Sequence, residues 1–273
     1  MNKLIYTVII WTMFLLGLAS CGEKSNTSSG DYYSDLDDDT QKKKKEKKRD
    51  DLQNFNLPNI TLTQKNARGV LSKFAEKNPE DMVMVYTKMG NLKLKLYKET
   101  PLHRANFIRL TKIKYFDQTQ FHRVVKDFMI QGGGGGGLHR IKLKKALGNY
   151  RVPNEIMPGR FFHKRGALAT ARIYENNPKK RSNPYNFYII QCNTKYNAPT
   201  LNNLAQKNKF TLSPAQIKAY AQTGGVPSLD GLHTVFGELV EGFDVLDKIA
   251  LVKTKKSEWP EKDIIIDSVR IVK

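Results

Sequence analysis

The sequence predicts a mostly β fold with two or three helices, and three stretches carry this prediction. An apolar run at 82–87 precedes a stretch at 92–96 in which leucines alternate with lysines. Two more strand-like pieces lie within 121–131 on either side of a polar turn, and an apolar run at 264–272 ends the chain. Side chains alternate between the faces of a strand, so the leucine–lysine stretch has one buried and one solvated face.

The expected helices alternate with these strands along the chain. Residues 70–80 carry apolar side chains at helical spacing, as do residues 243–249. Thr100 followed by Pro101 is typical of a helix start, with threonine at the N-cap and proline at the first helical position. Between the first two strands, the chain is expected to turn at Gly90-Asn91.

The first twenty residues have the composition of an export signal. Lys3 supplies a positive start, and the apolar run at 4–19 is short for a membrane span. The sequence Leu18-Ala19-Ser20-Cys21 resembles the bacterial lipoprotein signal, in which the cysteine receives acyl chains such as palmitate. This implies a lipid-anchored protein of the cell envelope, at the outer membrane on its periplasmic or surface face. The alternative is ordinary secretory cleavage, which would leave Cys21 as a free thiol.

Residues 21–69 are predicted to form a flexible, charged tether. Aspartates come first, a basic run from Lys42 to Arg49 follows, and no hydrophobic periodicity is visible. The segment therefore buries too little apolar area to offset the conformational entropy that it would lose on ordering. The basic run, within a chain of formal net charge +20, suggests contact with anionic surfaces such as lipid head groups. A solvated spacer is the alternative. The export signal argues against a nucleic-acid partner.

The stretch from 121 to 133 concentrates residues suited to a binding site. Alternation along a strand predicts that Phe121, Arg123 and Val125 share one face, and that Met129 and Gln131 share another. If the two pieces pair, a cation, an amide and large apolar groups meet at one surface. For an isolated arginine, the simpler interpretation is an edge strand with a solvated side chain.

Six consecutive glycines follow, at 132–137. A phosphate-binding loop of this kind would continue into Gly-Lys-Ser or Gly-Lys-Thr, and this sequence does not. A flexible loop is therefore predicted.

Four segments together resemble the cyclophilin family of peptidyl-prolyl cis–trans isomerases, or rotamases. They are F-H-R-V-V-K-D-F-M-I-Q-G-G at 121–133, G-A-L-A-T-A-R at 166–172, Y-N-F-Y-I at 185–189 and L-D-G-L-H-T-V-F-G at 229–237. The similarity covers about residues 80–273, and the domain is expected to span 70–273. A stretch at about 196–224 is longer than in a minimal family member and carries helix-start signals at Thr200 and Ser213.

The resemblance implies a closed, eight-stranded antiparallel β-barrel capped by two helices, which the local patterns alone do not specify. It also implies a folding assistant that isomerises X–Pro bonds without a cofactor or a metal, and the export signal makes exported proteins its expected substrates. The implied partners are proline-containing polypeptides, together with the lipid bilayer through the anchor.

The same resemblance implies a role for each matching residue, with Arg123 as the catalytic group. His233 closes the rim of the site, Gln131 and Asn186 hold the peptide or Arg123, and the backbone of Ala171-Arg172 bonds an extended substrate. The proline ring is expected in an apolar socket formed by Phe128, Met129, Tyr188 and Leu229.

Three positions depart from the family's pocket pattern and leave other functions open: Thr170, Asn186 and Ser228. A proline-peptide binding or chaperone module with weak or no isomerase activity would show such departures. An anchored adhesin or anion-binding protein, acting through its basic surface, is a further alternative. The presence of Arg123 and Gln131 favours the enzyme over both.

Overall fold

A computed structural model of the protein describes residues 60–135, 137–207 and 209–273. Nine strand segments in this part of the chain are β1 (Met82–Thr87), β2 (Gly90–Leu96), β3 (Thr119–Phe121), β4 (Arg123–Val125), β5 (Met129–Gly132), β6 (Ala167–Thr170), β7 (Phe187–Ile190), β8 (Val235–Glu241) and β9 (Ile264–Ile271). The helices described are α1 (Ala67–Lys77), α2 (Pro101–Lys112), α3 (Gly137–Leu147), α4 (Ala198–Lys207), α5 (Pro214–Thr223) and α6 (Phe243–Ala250), with a short 3-10 helix at Pro227–Leu229.

The strand order explains how the sheet closes into a barrel. The segments pair antiparallel in the order β3-β9-β1-β2-β8-β6-β7-β5-β4. The two ends of this order, β3 and β4, are separated along the chain only by His122. Counted as one interrupted strand, they make an eight-stranded antiparallel barrel, which confirms the predicted fold.

The two-residue period of the strands separates an inner core from a second apolar cluster. Along β5, Ile130 belongs to the main core and Met129 to the smaller cluster. On β7, Ile189 and Tyr188 divide in the same way. The smaller cluster therefore lies on the opposite face of β5 and β7 from the barrel core.

His122 also changes which side chains share a face. Phe121 and Val124 pack in the main core, whereas Val125 packs against the smaller cluster. The prediction that Phe121 shares a face with Arg123 and Val125 is therefore wrong. It assumed an uninterrupted strand, and the break at His122 shifts the alternation by one residue.

Helices α2 and α6 are the helices predicted at Pro101 and at 243–249, and both contribute buried residues to the barrel core. Pro101 occupies the start of α2 as predicted, but the Thr100 side chain makes no cap hydrogen bond. The Glu155 carboxylate instead accepts the backbone N–H groups of Leu102 and His103, each at 2.9 Å. A carboxylate at this position also interacts favourably with the helix dipole.

The folded domain begins before the predicted boundary at residue 70. Leu62 is fully buried in the core, and its backbone N–H donates to the Leu147 carbonyl at 3.0 Å. Helix α1 then starts at Ala67 rather than at 70. The predicted tether therefore ends earlier than residue 69. The buried Leu62 and the hydrogen bonds of the Thr61 and Gln64 side chains to the backbone at 146 and 151 fix this segment, and none of them shows as periodicity in the sequence. The other tether residues, 21–59, and the export signal lie outside the described residues.

The start of the glycine run is built into the fold and is not the predicted loop. Gly132 belongs to β5, and Gly134 forms an isolated bridge with Gln120. A Cβ on Gly134 would meet the His122 ring at 2.4 Å, and one on Gly133 would meet the Tyr185 carbonyl at 2.1 Å. These glycines allow a close approach of neighbouring groups.

The first hairpin and the insertion also differ in detail from the sequence prediction. The hairpin turns at Lys88-Met89, because Gly90 already pairs with Thr87. In the insertion, the side chain of Asn197, not of Thr200, accepts a backbone N–H at the start of α4.

The second helix of the insertion begins as predicted. Ser213 and Gln216 form a capping box at the start of α5. Together α4 and α5 bury a small cluster of their own, which includes Leu201 and Tyr220.

Candidate active site

A cleft of about 220 Å³ gathers nine of the ten predicted site residues. It also contains Tyr174, which the sequence did not indicate, and it lacks Asn186. Larger depressions of about 450 and 600 Å³ lie elsewhere on the domain, and none of the ten predicted site residues lines either of them. The cleft is lined by Arg123, Phe128, Met129, Gln131, Ala171, Arg172, Tyr174, Tyr188, Leu229 and His233.

Strand register brings the central residues of the cleft together. Arg123 on β4 pairs with Gln131 on β5, and Gln131 pairs in turn with Tyr188 on β7. Directly paired residues have side chains on the same face of a sheet. The predicted meeting of a cation, an amide and apolar groups therefore occurs, across three adjacent strands.

The Arg123 side chain is held between an acid and an aromatic ring. Its Nε donates to Glu258 Oε2 at 2.5 Å, and its guanidinium carbon lies 5.8 Å from the centre of the Phe128 ring. The side chain is 39% exposed. Within the described part of the chain, its two Nη groups have no hydrogen-bond partner, so both remain available to a ligand in the cleft.

Gln131 and Asn186 do not hold Arg123. The Gln131 amide nitrogen lies 2.9 Å from His122 Nε2, where it can donate to the ring. Burial lowers the pKa of His122, which favours the neutral ring that accepts this bond. Asn186 lies outside the cleft, and its buried Oδ1 has no partner among the described residues.

Ala171 and Arg172, whose backbone is expected to bind an extended substrate, differ in whether their N–H and carbonyl groups already have hydrogen-bond partners. The Ala171 N–H donates to the Asn186 carbonyl at 3.2 Å, and the Ala171 carbonyl accepts from Asn183 N–H at 2.8 Å. No backbone hydrogen bond involves Arg172 in the described residues, while its side-chain Nε donates to the Leu232 carbonyl at 2.8 Å. Of these two residues, Arg172 is therefore the one whose backbone N–H and carbonyl both lack a hydrogen-bond partner among the described residues.

A buried hydrogen-bond chain supports the Tyr188 side of the cleft. The Tyr188 hydroxyl lies 3.0 Å from His163 Nε2, His163 Nδ1 lies 2.7 Å from Asp230 Oδ1, and the Tyr220 hydroxyl donates to Asp230 Oδ2 at 2.6 Å. The backbone N–H of His163 also donates to Asp230 Oδ1. Every bond is satisfied when His163 carries its proton on Nδ1 and accepts the Tyr188 hydroxyl at Nε2.

The two tyrosines of this chain keep their protons. Burial raises the pKa of Tyr188 well above its usual value, and nearby charges, including that of Asp230, add to the shift. Burial and Asp230 raise the pKa of Tyr220 in the same way. Both hydroxyls therefore act as donors across the whole physiological pH range.

His233 closes one side of the cleft as a neutral ring. Its Nε2 lies 2.7 Å from the Tyr174 hydroxyl, and its Nδ1 lies 3.2 Å from the Thr170 carbonyl. Burial lowers the pKa of His233 to about 4, with a further contribution from His163 and from the Arg172 charge. An Nδ1–H donor to the carbonyl leaves Nε2 free to accept from Tyr174.

Neither a metal site nor a membrane span is found in the part of the chain that the structure describes. No group of three or more His, Cys, Asp or Glu side chains there could hold a metal ion. No helix there is both long enough and apolar enough to cross a bilayer. Cys192 is a buried free cysteine, in agreement with its apolar sequence context. Cys21 lies outside the described residues.

Sequence reasoning missed three residues that shape the site. Tyr174 lies two positions beyond the segment ending at Arg172, and it is an aromatic residue left 59% exposed. His163 and Glu258 lie in loops, far along the chain from their partners Asp230 and Arg123. Only Tyr174 could have been suspected, as an aromatic residue next to a matched motif.

Comparison with known proteins agrees with this architecture. The family model described as cyclophilin-type peptidyl-prolyl cis-trans isomerase/CLD matches residues 82–271. A protein of Staphylococcus saprophyticus that carries a provisional peptidyl-prolyl cis-trans isomerase name is 34% identical over 198 residues, which are 71% of this chain and 92% of the relative. A similarly named protein of Staphylococcus epidermidis is 31% identical over 206 residues, covering 74% of this chain and 96% of the relative.

A solved structure shares the fold. The crystal structure of a cyclophilin-type peptidyl-prolyl cis-trans isomerase from Cryptosporidium parvum superposes with a TM-score of 0.50 at 25% sequence identity. The match covers 71% of this chain and 98% of that one. The chain therefore belongs to the cyclophilin-type peptidyl-prolyl cis–trans isomerases, and it interconverts the cis and trans forms of X–Pro peptide bonds.

Proposed function

We propose that Arg123 is the catalytic group of this isomerase. It acts on the X–Pro peptide bond of a substrate whose proline ring is bound in the cleft. The observation that carries the proposal is the position of its guanidinium beside an apolar socket, 5.8 Å from the Phe128 ring, with both Nη groups unoccupied among the described residues. Phe128, Met129, Tyr188 and Leu229 form the socket, and His233 closes its rim. A substrate strand would bond to the backbone of Arg172.

The chemistry requires a donor that acts on the twisted amide. Resonance places a barrier of about 18–20 kcal/mol on rotation of a peptide bond, while the two X–Pro isomers differ by only about 0.5–1 kcal/mol. The prolyl nitrogen gains a lone pair only when the amide twists. A guanidinium aimed at that nitrogen therefore binds the transition state more strongly than the ground state, which is the condition for acceleration. Arginine keeps its charge at every physiological pH.

The test compares wild type with Arg123→Ala in an isomerase assay on a proline-containing peptide. The variant should lose at least about tenfold in rate, which is about 1.4 kcal/mol of barrier. Arg68→Ala, at an exposed position of α1, serves as the control and should retain the wild-type rate. Equal rates for wild type and folded Arg123→Ala would overturn the assigned mechanism.

We further propose that the enzyme works at the cell envelope on exported proteins, anchored by lipid at Cys21. The support is the sequence Leu18-Ala19-Ser20-Cys21 after an apolar run. An outer-membrane location, on the periplasmic or surface face, fits an anchor of this type. The basic run from Lys42 to Arg49 would add attraction to anionic lipid head groups.

The anchor is tested by expressing the full chain in a bacterial host. Wild type should fractionate with membranes and incorporate labelled fatty acid such as palmitate. Cys21→Ser should abolish the labelling, whereas Cys192→Ser should leave it unchanged. A wild-type protein that is exported but stays fully soluble would contradict the anchor without affecting the isomerase assignment.

A further inference from the structure

A turn between α6 and β9 is fastened to the strand that carries Arg123. The Val124 N–H donates to the Glu258 carbonyl at 2.9 Å, so the turn bonds directly to β4. Within the turn, Lys255 N–H donates to the Trp259 carbonyl at 2.8 Å, and Glu258 N–H donates to the Lys255 carbonyl at 2.9 Å. The Trp259 ring lies 5.8 Å from the ring of the adjacent His122. Glu258 is therefore fixed to β4 through the main chain.

The Glu258 side chain binds the inner nitrogen of the Arg123 guanidinium. Its Oε2 lies 2.5 Å from Arg123 Nε, and Glu258 itself does not line the cleft. Because a guanidinium is planar and its donors are arranged in a fixed fork, a bond at Nε restricts the plane of the group. It does so while leaving the two Nη groups available in the cleft.

Gln131 and Asn186 were expected to hold the peptide or Arg123, and neither side chain bonds to Arg123 in the described part of the chain. The Gln131 amide contacts His122, and Asn186 lies outside the cleft. In the described part of the chain, the bond to Glu258 is the only hydrogen bond of the Arg123 side chain. Orientation of the guanidinium therefore depends on this carboxylate and on the Phe128 ring.

The turn geometry alone does not require a glutamate. Glu258 has a φ of 62°, in the left-handed region that glycine and asparagine adopt more readily. Its side chain is 43% exposed, so it fills no space in the core. What distinguishes this glutamate is the ion pair with Arg123.

We infer that Glu258 is a positioning residue that holds the Arg123 guanidinium in its catalytic orientation. This inference rests on the proposed role of Arg123. A donor that has to meet the prolyl nitrogen in the transition state loses effectiveness when it is free to rotate. The apolar socket that binds the proline ring is formed by other residues, so removing the carboxylate should lower kcat and leave KM nearly unchanged.

The experiment measures kcat and KM for Glu258→Gln, which keeps the size of the side chain and removes its charge. We expect kcat to fall three- to tenfold, with KM within twofold of wild type. Glu261→Gln makes the same charge change at an exposed position of the same loop and should leave both constants unchanged. Thermal unfolding of each variant verifies that it is folded.

A double variant separates positioning from a general structural effect. In an Arg123→Ala background, adding Glu258→Gln should cause no further loss, because the carboxylate has no guanidinium to orient. A further loss in that background would overturn the inference, as would a wild-type or increased kcat in Glu258→Gln alone. If Arg123→Ala alone retained full activity, the proposed mechanism would fail instead, and the two failures are distinguishable.

Discussion

The cleft has two walls that differ in how far the polar partners of their residues are exposed to solvent. On the open wall, formed by Arg123 with Phe128, the ion pair of Arg123 with Glu258 behind it is 39% and 43% exposed. On the buried wall, Tyr188 leads into the chain through His163, Asp230 and Tyr220, where the His163 and Asp230 side chains are 1% and 0% exposed. The group proposed to act on the substrate is thus half in solvent, and the network behind the socket is dry.

This difference predicts a separation between catalysis and stability. Exposed ion pairs contribute about 0–1 kcal/mol to folding, because solvent screens them and two long side chains lose freedom. Buried donors that lose their acceptor cost about 1–3 kcal/mol each. Substitutions on the open wall should therefore change turnover with little effect on unfolding, and substitutions on the buried wall should destabilise the fold.

The largest expected effect is that of Asp230→Ala. The substitution leaves three buried donors without their acceptor, namely the His163 backbone N–H, the His163 ring and the Tyr220 hydroxyl. We expect a loss of about 3–5 kcal/mol in the free energy of unfolding. For a domain of this size, this is a fall of about 10 °C in Tm, measured by thermal denaturation followed by circular dichroism.

Asp244→Ala provides the matched control for this substitution. Asp244 lies at the start of α6 and is 70% exposed; among the described residues its one ion pair is with Lys248, four residues along the helix. Its removal should lower Tm by no more than about 2 °C, as expected for an exposed pair. Similar Tm values for the two variants would mean that the buried wall contributes no more to stability than a surface ion pair.

The sequence could predict the open wall better than the buried wall, because the open wall is mostly local. Arg123, Phe128 and Gln131 lie within nine positions of each other, and strand alternation with one hairpin is enough to bring them together. Most residues of the cleft came from the resemblance, which transfers whole segments at once. The resemblance did not indicate that the N–H and the carbonyl of Ala171 bond to Asn186 and Asn183 within the protein.

Long-range pairing is what local patterns could not supply. Barrel closure depends on β3 pairing with β9, and the Arg123–Glu258 pair spans 135 positions. The same limit applies to Asp230 and to its partner His163, 67 positions away. The prediction of a flexible loop at the glycine run was wrong for another reason. Glycine suits both a flexible loop and a close contact such as that of Gly134 with His122.

A smaller effect on stability is expected from the protonation of His233. This residue lines the cleft, as Arg123 does, but it is buried, as the partners of Tyr188 are. Burial lowers the pKa of His233 in the folded protein to about 4, below the ordinary histidine value of about 6.5. Between these values the unfolded chain binds a proton that the folded protein does not. Stability should therefore fall as pH decreases from about 6.5 towards 4, by about 1.4 kcal/mol for each pH unit.

His233→Gln removes this titration and isolates its contribution. Carboxylates elsewhere in the protein titrate equally in both proteins, so the difference between the two pH profiles belongs to His233. Urea unfolding at pH 6.5 and pH 5 should show that wild type loses about 1.6 kcal/mol more than the variant over this interval. Parallel profiles would mean that His233 is protonated as readily in the folded protein as in the unfolded chain. The ring would then not be the neutral acceptor that the Tyr174 hydroxyl requires.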